Sequence, residues 1–220
     1  MALSNTEAIF YSLYGLFSLL AVIVGVVFFG VMAYFLVKYR ARPKLQEPHD
    51  TPTLDRVPSH RGHLKNVVIL LGLSSIILGF LVAGTFTQVD VLLNVPAECQ
   101  PPAGVPNPCF FVNVTAHQFY FQITYPGNLS RSDVNLLRVP VNTTIVLRVT
   151  SADVFHNFGI REFKIKTDAI PGRTNMIWFR AFATGNYTIQ CFELCGAGHT
   201  GMIGTLRVMQ QPVFQKWYGS

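Results

Sequence analysis

The chain has 220 residues, of which 50% are apolar and only 13% are charged. Soluble proteins carry about 25% charged residues, so much of this chain faces something other than water. These values exclude a simple soluble globule, a disordered chain and a collagen-like chain. Four cysteines are too few for a disulfide scaffold of this length, and the net charge of +6 must be interpreted from the positions of the basic residues.

Two long uncharged segments predict transmembrane helices at the start of the chain. They are the thirty residues from Ala8 to Val37 and the twenty-four from Asn66 to Val89. A hydrocarbon core about 30 Å thick needs roughly 20 helical residues, because backbone amides in lipid must be satisfied within the segment. The first segment exceeds a signal-peptide core and lacks a basic leader, so we expect it to remain in the mature protein.

The loop between these segments, residues 38–65, predicts their orientation. It contains seven Lys or Arg residues against three acidic ones, and short basic loops stay on the cytoplasmic side. We therefore expect a hairpin over residues 1–89, with both termini and the domain at residues 90–220 on the extracytoplasmic side. Because the loop accounts for much of the basic charge, no nucleic-acid partner is expected.

After Asp90 the sequence changes to short β-branched and aromatic runs separated by Pro, Gly and Asn, which is typical of strands. The pattern predicts an antiparallel sandwich or barrel. The candidate strands are Cys109 to Ala116, Gln118 to Tyr125, Thr143 to Thr150, Phe158 to Phe163, Asn175 to Phe182, Tyr187 to Cys191 and Ile203 to Met209.

Two cysteines flank a Pro-rich stretch at the start of this domain. Cys99 and Cys109 lie on the predicted extracytoplasmic side, where disulfides persist. We expect them to form a disulfide that closes the loop between them.

The most informative segment runs from Cys191 to Met202 and reads Cys-Phe-Glu-Leu-Cys-Gly-Ala-Gly-His-Thr-Gly-Met. Its glycines disfavour a helix, so two thiols, an imidazole and a thioether can converge from one loop. Thiolate and thioether ligands favour copper, whereas Met is not a usual zinc ligand. A second Cys allows two thiolates to bridge two copper ions, and His156 is a better candidate than His117 for the additional imidazole.

These motifs give the chain a resemblance to a known family. The segment Asp153-Val154-Phe155-His156, the segment from Lys166 to Arg173 and the loop from Cys191 to Met202 stand in the same order as in subunit II of the haem-copper oxidases, the cytochrome c oxidase family. The resemblance covers both predicted helices and the predicted sandwich.

The resemblance implies a cupredoxin-like Greek-key sandwich with the binuclear copper centre called CuA. By position, Cys191 and Cys195 would bridge the coppers, and His156 and His199 would be the terminal ligands. The remaining two positions, Met202 and the carbonyl of Glu193, would supply weak axial ligands, and the Glu193 side chain would join a magnesium or manganese site shared with subunit I.

The resemblance also implies partners and an electron path. An external donor, such as cytochrome c or a small copper protein, would reduce the copper centre, which would pass electrons to the haem and oxygen-reducing site of subunit I. Other membrane subunits would complete the complex. The family's aromatic strand aligns with Phe119, Tyr120 and Phe121, where electrons would enter, but this chain has Phe where the family commonly has Trp.

Other functions remain open at this point. The CuA subunit of a nitric oxide reductase would carry the same loop and differ only in its catalytic partner. A membrane-tethered cupredoxin that only carries electrons would need one ligand Cys, whereas this loop has two. A quinol oxidase subunit would lack both cysteines, and a nitrous oxide reductase would lack the membrane helices.

Overall fold

The computed structural model describes residues 2–40, 63–100, 102, 104, 106–127 and 131–219. Two long apolar helices come first, and a β-sandwich with a short C-terminal helix follows them. This order confirms the predicted fold class. The basic loop at residues 38–65, which predicts the orientation, lies almost entirely outside the described residues.

Helices α1 (Asn5–Lys38) and α2 (Leu64–Leu93) are each long and apolar enough to cross a membrane. Helix α1 has a well-formed N-terminal cap. The hydroxyl oxygen of Ser4 accepts a hydrogen bond from the Glu7 N–H at 3.1 Å, and the Glu7 carboxylate accepts one from the Leu3 N–H. These bonds satisfy backbone donors that have no partner within a helix, which explains why α1 begins at Asn5.

The chain divides into two compact units. One contains Met1–Ser12 together with Thr87–Ser220, and the other contains Leu13–Phe86. The residues that precede and begin α1 therefore belong to the same unit as the sandwich.

An N-terminal strap, defined here as residues 3–6, binds the sandwich through hydrogen bonds. The Phe182 N–H donates to the Leu3 carbonyl at 2.8 Å, and the Thr6 hydroxyl donates to the Phe163 carbonyl at 2.7 Å. Ser4 and Thr6 are buried although both are polar. Buried polar groups are normally paired, and these bonds meet that requirement for Thr6.

The described strands form two five-stranded sheets, with the orders β3-β2-β1-β5-β8 and β4-β10-β9-β6-β7. Their bounds are β1 Phe110–His117, β2 Tyr120–Thr124, β3 Ser132–Val134, β4 Leu136–Pro140, β5 Thr144–Ser151, β6 His156–Ile160, β7 Ile165–Ala169, β8 Asn175–Arg180, β9 Gly185–Cys191 and β10 Ile203–Met209. Short 3₁₀ turns lie at Ala97–Cys99 and His199–Gly201.

The sandwich is as predicted, but its sheets are mixed and differ from the predicted antiparallel arrangement at two strand pairs. Strand β1 pairs with β5 in parallel, and β10 pairs with β4 in parallel, while the other pairs are antiparallel. Both parallel pairs join strands that are separated by other strands along the chain. Strand β5 is almost continuously buried, as expected for a strand covered on both faces, so alternation did not reveal its direction.

The core lies between the two sheets and extends beneath the C-terminal helix. Phe121 of β2 and Phe158 of β6 meet edge to face across the sandwich, with ring centroids 5.1 Å apart. Helix α3 (Gln211–Gly219), which the sequence analysis did not predict, buries Phe214 against Phe110 at 5.2 Å. The sandwich is therefore a rigid support for the loops at its edge.

Candidate metal centre

The ligand loop, defined here as residues 191–202, joins the end of β9 to the start of β10. The Cys191 N–H donates to the Met202 carbonyl at 3.1 Å and so closes the loop at its base. The Phe192 N–H donates to the carbonyl of Asn157 at 2.9 Å, which attaches the loop to strand β6. Gly196 has a φ of +134°, a backbone conformation that side chains with a Cβ rarely adopt.

The additional imidazole comes from strand β6. His156 is the first residue of β6, which pairs with β9 so that Phe158 lies opposite Cys191. This pairing brings the His156 Nδ1 to 3.8 Å from the Cys191 Sγ. His156 is completely buried, and its backbone belongs to the sheet, where it pairs with Ala169 of β7.

The other donor atoms converge around the two cysteines. The Sγ atoms of Cys191 and Cys195 lie 3.9 Å apart. From the Cys195 Sγ, the distance to the His199 Nδ1 is 3.6 Å and that to the Met202 Sδ is 3.8 Å. The Glu193 carbonyl oxygen lies 3.3 Å from the Cys191 Sγ. All six predicted ligand positions are therefore gathered at one point.

The centre is shielded from solvent. The three sulfur-bearing residues of the ligand loop, Cys191, Cys195 and Met202, are all buried. Burial, together with the neighbouring Cys191 sulfur, raises the pKa of the Cys195 thiol to about 11. In the metal-free chain this thiol is protonated at neutral pH, so a bound metal must displace its proton.

The donor set fits a pair of copper ions. A sulfur separation of 3.9 Å is far longer than the S–S bond of about 2.05 Å, and both thiols are free. Each sulfur has its own imidazole nitrogen within 3.8 Å, which gives the arrangement two similar halves. Thioether and thiolate donors suit copper, and a thioether is not a usual zinc ligand.

Asp153 and Gln118 are two residues of this region to which the sequence analysis gave no role. The Asp153 Oδ1 lies 2.8 Å from the His156 Nε2, and its Oδ2 accepts a hydrogen bond from the Gln118 N–H at 2.6 Å. Burial raises the pKa of Asp153, but the hydrogen bonds from Gln118, His156 and Val154 outweigh it and hold the pKa well below its usual range. The sequence contained one signal for the role of Asp153, because this acidic residue lies three positions before the candidate ligand His156.

The three candidate aromatic residues for electron input lie in different environments. The ring of Phe119 packs against the ligand loop, where a Cβ on Gly198 would lie only 2.4 Å from its Cδ2. Tyr120 is partly buried and stacks on His117, with ring centroids 4.7 Å apart. Phe121 is completely buried in the core. Of these three residues, Phe119 is therefore the one that both packs against the ligand loop and is partly exposed to solvent.

Glu193 combines two of the predicted features in one residue. Its carbonyl oxygen lies 3.3 Å from the Cys191 sulfur, whereas the residue as a whole is exposed. An exposed carboxylate beside the centre is accessible to a group supplied by another chain.

The remaining cysteines lie apart from the centre. Cys99 and Cys109 are joined by a disulfide and form a separate small cluster with the buried Val146. Because both sulfurs are used in this bond, the nearby Glu98 does not complete a metal site with them.

Comparisons with known proteins identify the family of this chain. Residues 126–208 match the family model described as cytochrome c oxidase subunit II, periplasmic domain. The chain is 34% identical over 224 residues to the heme-copper oxidase subunit 2 of Aeropyrum pernix. This alignment covers 98% of this chain and 91% of that relative.

Two further likenesses cover shorter regions. The cytochrome c oxidase subunit 2 of Cereibacter sphaeroides is 44% identical over 79 residues, or 36% of this chain and 26% of that relative. The crystal structure of the periplasmic domain of subunit II of cytochrome oxidase from Bradyrhizobium japonicum is 37% identical over 51% of this chain and 93% of that one, with a TM-score of 0.48. Given the near full-length match to the archaeal protein, the chain belongs to the subunit II family of the haem-copper oxidases.

Proposed function

We propose that this chain receives electrons for an oxidase complex through a binuclear CuA centre. Cys191, Cys195, His156 and His199 would hold the two coppers, with the two thiolates shared between the ions and one imidazole beside each sulfur. The observation that carries this proposal is the pair of free, buried sulfurs 3.9 Å apart, each with an imidazole nitrogen within 3.8 Å. Met202 and the Glu193 carbonyl would supply additional, weaker donors beside the two sulfurs.

When bound, the copper pair supplies one-electron chemistry between an external donor and the haem and oxygen-reducing site of subunit I. This chain's own residues hold the donor atoms in place. Strands β6 and β9 fix His156 and Cys191, and the ligand loop brings Cys195 to them. Burial of the sulfurs excludes water and so limits rearrangement of polar groups around the centre when its charge changes.

Electrons enter beside Phe119, which packs directly on the ligand loop. Tyr120 is partly buried and stacks on His117, whereas Phe121 is completely buried in the core. The donor is cytochrome c or a small copper protein. The exposed Glu193 side chain would face subunit I and would contribute to a magnesium or manganese site together with residues of that subunit.

The chain crosses the membrane twice, with both termini and the copper domain on the extracytoplasmic side. Residues 1–89 form the hairpin and residues 90–220 form the copper domain. The excess of basic residues in the loop at residues 38–65 supports this orientation. The N-terminal strap supports it independently, since Leu3 and Thr6 form hydrogen bonds with the sandwich and therefore lie on its side of the membrane.

The substitution Cys195→Ser in the purified oxidase complex tests the proposal. It removes one bridging sulfur from a loop that is anchored by other bonds, so the complex should assemble. Oxidation of the external donor should be lost, while a small reductant that reaches the haem directly should still support oxygen consumption. An unchanged rate with the external donor would contradict the bridging role.

A further inference from the structure

A continuous hydrogen-bonded bridge joins three separate segments at the centre. The side-chain amide of Gln118 donates to the Cys195 carbonyl at 2.6 Å, and the Gln118 backbone N–H donates to the Asp153 Oδ2 at 2.6 Å. The other oxygen of Asp153 lies 2.8 Å from the His156 Nε2. The bridge therefore runs from the carbonyl of one ligand to the imidazole of another.

The bridge fixes the position of Cys195, which, unlike Cys191, does not belong to a strand. Cys191 lies within strand β9 and is held by the sheet, whereas Cys195 lies four residues further along, in the ligand loop. The amide of Gln118 comes from the turn between β1 and β2, which belongs to the opposite sheet. It thus ties the loop ligand to a part of the fold that does not move with the loop.

The loop is shaped to receive this amide. A Cβ on Gly196 would lie 2.9 Å from the Gln118 Nε2 and 3.1 Å from the ring of Phe119. Glycine at this position lets the amide approach the backbone beside Cys195. The close packing of the Gln118 amide on Gly196 and its hydrogen bond to the Cys195 carbonyl both place this amide against the loop backbone.

At the other end of the bridge, Asp153 fixes the orientation of His156. With Nε2–H directed to the carboxylate, Nδ1 carries the lone pair that points toward the Cys191 sulfur at 3.8 Å. Asp153 is itself fixed, because the Val154 N–H donates to its Oδ1 at 2.6 Å. One carboxylate therefore connects the imidazole ligand to Gln118.

We propose that Gln118 is a positioning residue of the metal centre, which acts through Cys195 and, by way of Asp153, through His156. This inference rests on the proposed copper function for its effect on the metal, but the bridge exists in the metal-free chain. Loss of the amide frees the backbone at Cys195, so the two halves of the centre lose their fixed separation. A change in the position of Cys195 also shifts the reduction potential of the copper centre, because the groups around a metal ligand tune the metal.

The test compares Gln118→Leu with Gln122→Leu in the full-length chain. Both substitutions remove a glutamine amide at the start of the second strand region, but the partly buried Gln122 donates to the Ser132 hydroxyl at 3.3 Å, away from the centre. In the copper-free chain, Gln118→Leu should speed hydrogen exchange of the ligand-loop amides about fivefold, the factor that corresponds to a hydrogen bond of about 1 kcal/mol. Exchange in strands β5 and β9 should stay unchanged, which shows that the variant is folded.

In the copper-loaded chain, Gln118→Leu should retain both metal ions, shift the reduction potential and alter the EPR hyperfine splitting. Gln122→Leu should change none of these. Exchange, potential and spectrum all equal to wild type in Gln118→Leu would overturn the inference. A second variant, Asp153→Asn, should produce the same kind of spectral change, and such a change without any in Gln118→Leu would show that the bridge is not continuous.

Failure of the copper proposal gives a different result. If the wild-type chain binds no copper pair, the metal-loaded comparison loses its meaning, but hydrogen exchange in the copper-free variants still decides whether Gln118 orders the ligand loop. Faster exchange confined to Gln118→Leu would then support the bridge alone.

Discussion

Gly198 of the ligand loop lies directly against the ring of Phe119, so closely that a Cβ at this position would be 2.4 Å from the Cδ2 and 2.5 Å from the Cγ of the ring. The absence of a side chain at Gly198 is what allows the aromatic residue and the metal-binding loop to touch. A Cβ at Gly196 would also lie 3.1 Å from the Phe119 ring, so the ring packs close to two glycines of the ligand loop.

The substitution Gly198→Ala should therefore displace the ligand loop or the Phe119 ring. We expect weaker copper binding and slower electron transfer from the external donor, by about tenfold if the displacement costs about 1.4 kcal/mol. Gly201→Ala is the matched control, since a Cβ there would meet nothing within 4 Å. Equal copper affinities of the two variants, measured by competition with a chelator, would contradict the packing argument.

The N-terminal strap makes a second prediction. Thr6→Val keeps the size of the buried side chain but removes the hydroxyl that donates to the Phe163 carbonyl at 2.7 Å. The free energy of unfolding should fall by about 1 kcal/mol. Thermal unfolding of the full chain in detergent measures this change. Ser12→Ala serves as the control, because the Ser12 hydroxyl is exposed and bonds only within α1, and a loss of equal size in both variants would argue against the strap.

The disulfide between Cys99 and Cys109 should stabilise the domain without affecting the metal. It closes a short loop, and replacing both cysteines by Ser should cost about 2–3 kcal/mol of unfolding free energy. Because the bond lies in a cluster separate from the centre, the EPR spectrum of the copper-loaded chain should not change. A changed spectrum would show that this loop and the centre are coupled.

Tyr125 should contribute a loss of stability at alkaline pH. Burial raises the pKa of its phenol above the ordinary value, and its hydroxyl accepts a hydrogen bond from the Arg138 N–H at 2.6 Å. Below pH about 10 both the folded and unfolded chains keep this proton, so the contribution is fully present. At higher pH the unfolded chain releases the proton first, and stability falls.

Tyr125→Phe should therefore show a smaller loss of unfolding free energy between pH 10 and about 12 than wild type, although it is less stable at neutral pH. Some slope should remain because burial also raises the pKa of Tyr187. Denaturant titrations across this pH range provide the measurement. Identical slopes in the two proteins would contradict the assignment to Tyr125.

Local patterns predicted the features that depend on local chemistry. Uninterrupted apolar runs predicted both long helices, and the spacing of Cys191, Cys195, His199 and Met202 predicted a loop that gathers soft ligands. The signal for helix α3 was also present, since Pro212 occupies its first turn and Phe214 is followed by aromatic residues on the same face.

Other features depend on contacts between distant parts of the chain. The parallel pairing of β1 with β5 and the attachment of Thr6 to Phe163 join segments whose sequences do not indicate their partners. The hydrogen bond from Gln118 to Cys195 spans two sheets and 77 positions of sequence. Such contacts become visible only when the fold has brought the segments together.

The central claim is that this chain binds two coppers through one pair of sulfurs. The most direct test is elemental analysis combined with EPR on the copper-loaded, full-length chain. The account predicts two coppers per chain and a hyperfine pattern from two equivalent copper nuclei that share one unpaired electron. A single copper per chain, a signal confined to one nucleus, or zinc in protein purified from its native membrane would contradict it.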